Sequence, residues 1–275
     1  MDWVLSLLDE HVLDGVYDAV LPLTRDSLLR QSLSTYTVGL LGGSAIYFTF
    51  STLDYVFLFD KRLLQHKQAL PNQVRQEIAC ASFALVVMAL LSVPIWLLEV
   101  RGYAKLYSSI DEYGWPYLLA SVAGFLVFTD TCIYWIHRWF HHPAVYPYVH
   151  KEHHKWKVPT PYASIAFHPV DGWSQALPYH VFVFLFPMQR HIYLALFVMV
   201  QIWSVSIHDQ VYVTNHTLAE KFINGADHHT EHHLKFNYNY GQFFTFWDWA
   251  MGTYLKPTES AIHPPPSMMT TKKKD

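Results

Sequence analysis

Charge is scarce in this chain of 275 residues: Asp, Glu, Lys and Arg make up 15%, against about 25% in a soluble domain. The net charge is −3 with histidine neutral, so nothing points to nucleic acid as a partner. Cysteine is nearly missing. Cys80 and Cys132 each lie in an apolar run, which leaves no disulfide framework and no thiolate set for a structural zinc site. Residues 1–30 carry Asp2, Asp9, Glu10, Asp14, Asp18 and Asp26 against Arg25 and Arg30. With no basic stretch ahead of an apolar core, they are not a cleavable signal peptide. They read instead as a loosely attached amphipathic end. H-E-x-x-H is absent, which removes the common metalloprotease helix.

Apolar and aromatic residues fill the gap, at 52% and 17%, a composition that points to the membrane. Tyr36–Phe59, Ala79–Leu98 and Trp115–Ile136 are long enough to span a bilayer. Gly39, Gly42 and Gly43 in the first permit close helix packing. Leu177–Phe186 and Ile192–Ile207 form a further apolar pair joined near Pro187; the former is too short to cross alone, so the two read as a hairpin that enters and returns. The basic bias of residues 60–77 places that loop in the cytosol by the positive-inside rule. The third span then exits on the same side. Lys272 and Lys273, four and three from the end, match a dilysine retrieval signal of the endoplasmic reticulum, read by a receptor from the cytosol. The sequon at Asn215 falls on the cytosolic side and is unused.

Histidine is the other abundance. Asp130–His154 holds six, His137, His141, His142, His150, His153 and His154, and Asp227–His233 holds His228, His229, His232 and His233. His137 and His141 are spaced H-x-x-x-H; His150, His153 and His154 are spaced H-x-x-H-H, as are His229, His232 and His233. Residues three and four apart share one face of a helix, so each set is expected to gather its nitrogens if locally helical. Asp130 and Tyr134 fall on the face of His137 and become candidates for orienting ligand imidazoles. His142 lies off that face. Isolated histidines (His11, His66, His191, His216 and His263) are read as ordinary polar residues. Eight nitrogens without sulfur exceed the needs of one ion and suit two ions of the iron, zinc or manganese type. A transporter would place such groups within its spans along a crossing path; here they gather on one side.

The three histidine sets resemble those of the fatty acid hydroxylase/sterol desaturase superfamily. PNQVRQEI at 71–78, LLEVRGYAKL at 97–106, FTDTCIYWIHR at 128–138 and WKVPTPYASIAFHPVDG at 156–172 resemble its sterol C-5 desaturase members. So do LPYH at 177–180, SIHD at 206–209, FINGADHHTEHH at 222–233 and YNYGQFFTFWD at 238–248. The resemblance implies an all-α integral membrane helical bundle of about four membrane-embedded elements with a cytosolic histidine-rich diiron domain. Residues 1–33 form a lumenal segment in this reading, 34–257 the embedded domain and 258–275 a disordered cytosolic tail. It implies two iron ions, dioxygen as co-substrate, electrons from cytochrome b5 and its NADH-dependent reductase, and insertion of the C5–C6 double bond into a Δ7-sterol drawn from the bilayer. Its metal ligands carry over to His137, His141, His150, His153, His154, His229, His232 and His233. His208 and His228 are the best-placed extras, and His168 joins Asp130 and Tyr134 as an orienting candidate or helix-start contact. Related chemistry, sterol C-4 methyl oxidation or fatty acyl hydroxylation, is the alternative.

Overall fold

The computed structural model describes residues 1–212 and 218–257. The sequon, His216, His263, the dilysine pair and the expected tail lie outside the described residues.

Among the described residues ten α-helices run in chain order: α1 (Asp2–Leu8), α2 (Asp14–Val20), α3 (Leu28–Phe57), α4 (Gln73–Val100), α5 (Gly114–Phe140), α6 (Tyr146–Val149), α7 (Pro169–Leu185), α8 (Arg190–Ser206), α9 (Ala226–Lys235) and α10 (Phe246–Ala250). Two two-residue strands, β1 (Leu106–Tyr107) and β2 (Met188–Gln189), pair in parallel. With an isolated bridge between Ile223 and Phe244, they are the departures from an all-α reading among the described residues.

Among the described residues, α4 and α5 are long and apolar enough to cross a membrane, and each is about 40 Å long at 1.5 Å per residue. Phe83 and Leu90 on α4, and Leu119 and Val127 on α5, point outward, the apolar face a bilayer solvates. The first expected span is only partly matched. α3 begins at Leu28, well before Tyr36, and buries Ser34, Thr35, Ser51 and Asp54, so it is less apolar than α4 and α5. The hairpin of α7 and α8, 17 residues each, turns back through Phe186–Gln189.

The polar side of α3 and α4 fixes the loop that follows the second histidine set. Glu77 accepts from the Thr160 backbone N–H and hydroxyl, and from Gln73 at 2.7 Å. Gln73 in turn donates to the Val158 carbonyl. Tyr47 donates to the Tyr162 carbonyl at 2.8 Å and Ser51 to that of Pro161. A buried carboxylate tolerates its site when its oxygens are filled in this way. The C-terminal ends of α3, α5 and α8 and the N-terminal ends of α4 and α7 therefore meet at one end of the bundle. Residues 60–77 and all the histidine sets lie at that end.

The N-terminal segment is not loose. Arg30, 4% exposed, donates to Asp9 at 2.7 Å, pairs with Asp14 and stacks on Tyr17. Trp3 meets His191 edge-on. One buried arginine answering two acids is invisible to periodicity, which is why composition alone gave a frayed end. Arg30→Met strands the buried Asp9 carboxylate, and removing one partner of a buried pair costs about 3 kcal/mol or more. A thermal melt in detergent should show a clear drop; an unchanged melt would mean the segment contributes nothing.

Candidate metal centre

α5 ends where its apolar run meets His137, and His141 caps that end. A short turn through α6 delivers His150, and a 3₁₀ turn, His153–Lys155, delivers the next two histidines. The second set is thus not α-helical, and its imidazoles fan out. α9 carries the third set on a true helix. α8 ends just before His208.

These residues do not gather set by set. His137, His141, His150, His154 and His232 form one group, and His153, His208, His229 and His233 a second. Within each group, one nitrogen from every residue lies within 4.8 Å of the others. Both the second and the third set are split between the groups, because a 3₁₀ turn and a one-residue step on α9 send neighbouring rings opposite ways. The groups touch: the His154 and His233 ring centroids are 5.0 Å apart.

Four imidazoles have their outer nitrogen fixed. His137 Nδ1 donates to the Tyr240 carbonyl at 3.0 Å, and His232 Nδ1 to that of Tyr238 at 2.7 Å. His208 Nδ1 donates to the Ser204 carbonyl, and His150 Nδ1 to an Asp171 carboxylate oxygen, both at 2.6 Å. A proton committed to Nδ1 leaves Nε2 a bare lone pair in neutral imidazole. His137 and His150 then face each other Nε2 to Nε2 at 3.1 Å. Two lone pairs at that range repel unless a cation lies with them. His232 Nε2 is buried with no hydrogen-bond partner, as a ligand nitrogen would be. Burial and neighbouring imidazoles hold His153, His154, His229, His232 and His233 well below the ordinary imidazole range. Burial brings His208 down to about 4. Neutral imidazoles are what a metal needs, and an all-nitrogen set suits iron or zinc rather than magnesium or calcium.

Of the ten histidines expected at the metal, nine stand in these groups. His228 does not: its Nδ1 donates to Asp227 at 3.0 Å and its Nε2 faces the Tyr254 hydroxyl at 3.4 Å. It lies one turn before His232 on α9, and its ring is held by Asp227 and Tyr254 rather than turned into either group. His142 accepts from the Ala144 N–H and is also outside. Asp130 accepts three backbone N–H groups, from Gln242, Phe243 and Phe244. It anchors the loop whose Tyr240 carbonyl receives His137, and so acts one step removed. Tyr134 pairs with Thr253 and accepts from Arg138. His168 caps α7 by accepting the Val170 N–H. None of these three hydrogen-bonds a grouped imidazole. Asp171, which does, was missed. It lies 21 residues beyond His150, and no spacing rule links the two.

The model of the family described as Fatty acid hydroxylase matches residues 122–253, the stretch that holds both groups. The chain is 52% identical to a delta(7)-sterol 5(6)-desaturase of Gibberella zeae over 235 residues, 86% of this chain and 72% of that one. The chain belongs to the fatty acid hydroxylase family. A Schizosaccharomyces pombe delta(7)-sterol 5(6)-desaturase is 48% identical over 94% of this chain and 85% of its own. A lathosterol oxidase of Homo sapiens is 47% identical over 94% and 86%. No solved structure matches.

As an oxidoreductase of the fatty acid hydroxylase family, the chain has a histidine cluster fit for iron. The loop that orients His137 depends on one glycine. A Cβ on Gly241 would stand 2.3 Å from the Phe244 carbonyl oxygen and 3.1 Å from Asp248, while Asp248 accepts the Tyr240 and Gly241 N–H groups at 2.9 Å. The obstacle is backbone and cannot swing aside. Gly241→Ala should destabilise the fold by about 1–3 kcal/mol, the cost of overpacking, and loosen iron. A parallel melt and iron assay checks both, and unchanged values would show that the loop yields freely.

Proposed function

We propose that this chain is a sterol C-5 desaturase: it introduces the C5–C6 double bond into a Δ7-sterol, giving a Δ5,7-diene, with dioxygen as oxidant. The observation that carries the reading is the pair of nitrogen-only groups at the inner end of an apolar cavity, in a chain so similar to named sterol desaturases. Ring C–H bonds of a sterol are unactivated, and no side chain breaks them. Two iron ions, one for each group, would supply the oxidising power together with dioxygen. The protein's own part is to hold the ligand nitrogens, orient the ring and keep water out. His137, His141, His150, His154 and His232 would hold one ion, and His153, His208, His229 and His233 the other. Asp171 and the Tyr240, Tyr238 and Ser204 carbonyls would fix ligand tautomers.

The membrane arrangement follows the same reading. α3, α4, α5 and the α7–α8 hairpin embed the chain in the endoplasmic reticulum membrane, with the histidine end in the cytosol beside the basic 60–77 stretch. Lys151, Lys155 and Lys157, with Glu152 paired to Lys155, line an open recess that reaches His154 and carries a net positive charge. That basic surface suits an acidic electron carrier such as cytochrome b5, fed by its NADH-dependent reductase.

The test is conversion. Expressed in cells lacking C-5 desaturation and fed a Δ7-sterol, the chain should yield the conjugated diene, read by its ultraviolet absorbance, and His153→Ala should not. Well-expressed protein with cytochrome b5 and reductant that makes no diene, but hydroxylates sterols or acyl chains, would overturn the reading.

A further inference from the structure

Two cavities lie end to end inside the bundle. The inner one, about 90 Å³, reaches His137, His153, His208 and His229. The outer one, about 250 Å³, runs between α3, α4, α7 and α8 past Gly42 and Trp96. Met88, Ile165, Ala176 and Gln201 line both, so the two adjoin. The outer cavity is apolar along most of its length. Ser164 lines the inner one, and its surroundings leave its hydroxyl unanswered. Ser164 is 2% exposed, and its hydroxyl is buried with no hydrogen-bond partner. Its position is fixed from behind, because the Ser204 hydroxyl donates to the Ser164 carbonyl at 3.3 Å. An unpaired buried hydroxyl costs free energy, and such a group beside a ligand cavity is best explained by a ligand.

Sterol chemistry says which part of the ligand. One ring carbon separates C5, a reacting carbon, from C3, which bears the hydroxyl. If C5 and C6 lie at the histidine groups, the 3-hydroxyl must lie in the inner cavity too. The remaining rings and the side chain have one way to go, into the outer cavity. We propose that Ser164, with Gln201 at the junction, binds the sterol 3-hydroxyl, so that the substrate enters hydroxyl end first with its tail between α3 and α4. This rests on the sterol desaturase reading. Ser164 is then a positioning and specificity residue: it sets which carbons face the metal groups.

The experiment crosses enzyme with substrate. The full chain and Ser164→Ala are assayed in membranes with electron donors constant, on lathosterol and on its 3-deoxy analogue. Removing the sterol hydroxyl should lower kcat/KM of the parent chain about three- to tenfold, the worth of one neutral hydrogen bond. Ser164→Ala should lose the same factor on lathosterol and match the parent on the 3-deoxy sterol. Ser164→Thr, which keeps a hydroxyl, should keep the discrimination. A merely structural serine would depress both substrates alike when replaced, and that result, or no effect on either, would overturn the assignment. Parent protein that converts neither sterol would instead sink the sterol reading, and this inference with it.

Discussion

His232→Ala should lower diene formation by at least about 100-fold and reduce bound iron, while His228→Gln should leave both nearly intact. Deleting a ligand should cost no less than the 10–100-fold seen when its supporting partner is lost. The contrast matters because the two residues lie four apart on one short helix and look equivalent in the sequence. Only His232 places a nitrogen in a group. Its Nδ1 is held by the Tyr238 carbonyl, and its Nε2 is buried and unpartnered. His228 spends its Nδ1 on Asp227, and losing that bond should cost stability, about 1 kcal/mol, rather than iron. Iron analysis and single-turnover diene yield on both variants decide it. Equal losses would mean that His228 also serves the metal.

The second large effect is expected at Asp171. Its carboxylate is fully buried, with one oxygen taking the His150 Nδ1 proton at 2.6 Å and the other the Gln175 amide at 2.7 Å. Asp171→Asn keeps the shape but supplies one acceptor where two are needed. Either His150 or Gln175 then faces an N–H group. If His150 loses its acceptor, its tautomer is no longer fixed, and iron affinity or turnover should fall about 10–100-fold. Chelator challenge of the purified variant reads the affinity directly. Iron retention and rate equal to the parent would show that the hydrogen bond is incidental.

How far the sequence alone reaches is visible residue by residue. The apolar runs at 79–98 and 115–136 announce α4 and α5, since twenty predominantly apolar residues have few other uses. The short pair around Pro187 announces the α7–α8 hairpin. The histidine knots announce metal chemistry through density and spacing. The partition of those histidines was not legible. Spacing predicts which rings share a helix face, but His150, His153 and His154 lie on turns, and which ring meets which is decided by where α9 docks against α5. Asp171 and the Tyr240 carbonyl escaped for the same reason, being near the metal groups in space and remote in the chain. His208 was expected only through the resemblance, as an extra ahead of the last set, and its place in the second group comes from the end of α8. Asp130 was singled out for the wrong contact: it sits on the His137 face, yet its oxygens serve the backbone of the 242–244 loop. Arg30 pinning Asp9 and Asp14 is again a contact made by tertiary packing rather than by pattern.

The most direct test of the two-group account is a count of iron. Purified anaerobically and loaded with ferrous iron, the chain should bind two ions, and His233→Ala, from the smaller group, should bind about one with the other retained. That outcome is what two adjacent but separate nitrogen sets require. A single ion in the parent, or loss of both ions together with the protein still folded, would contradict it.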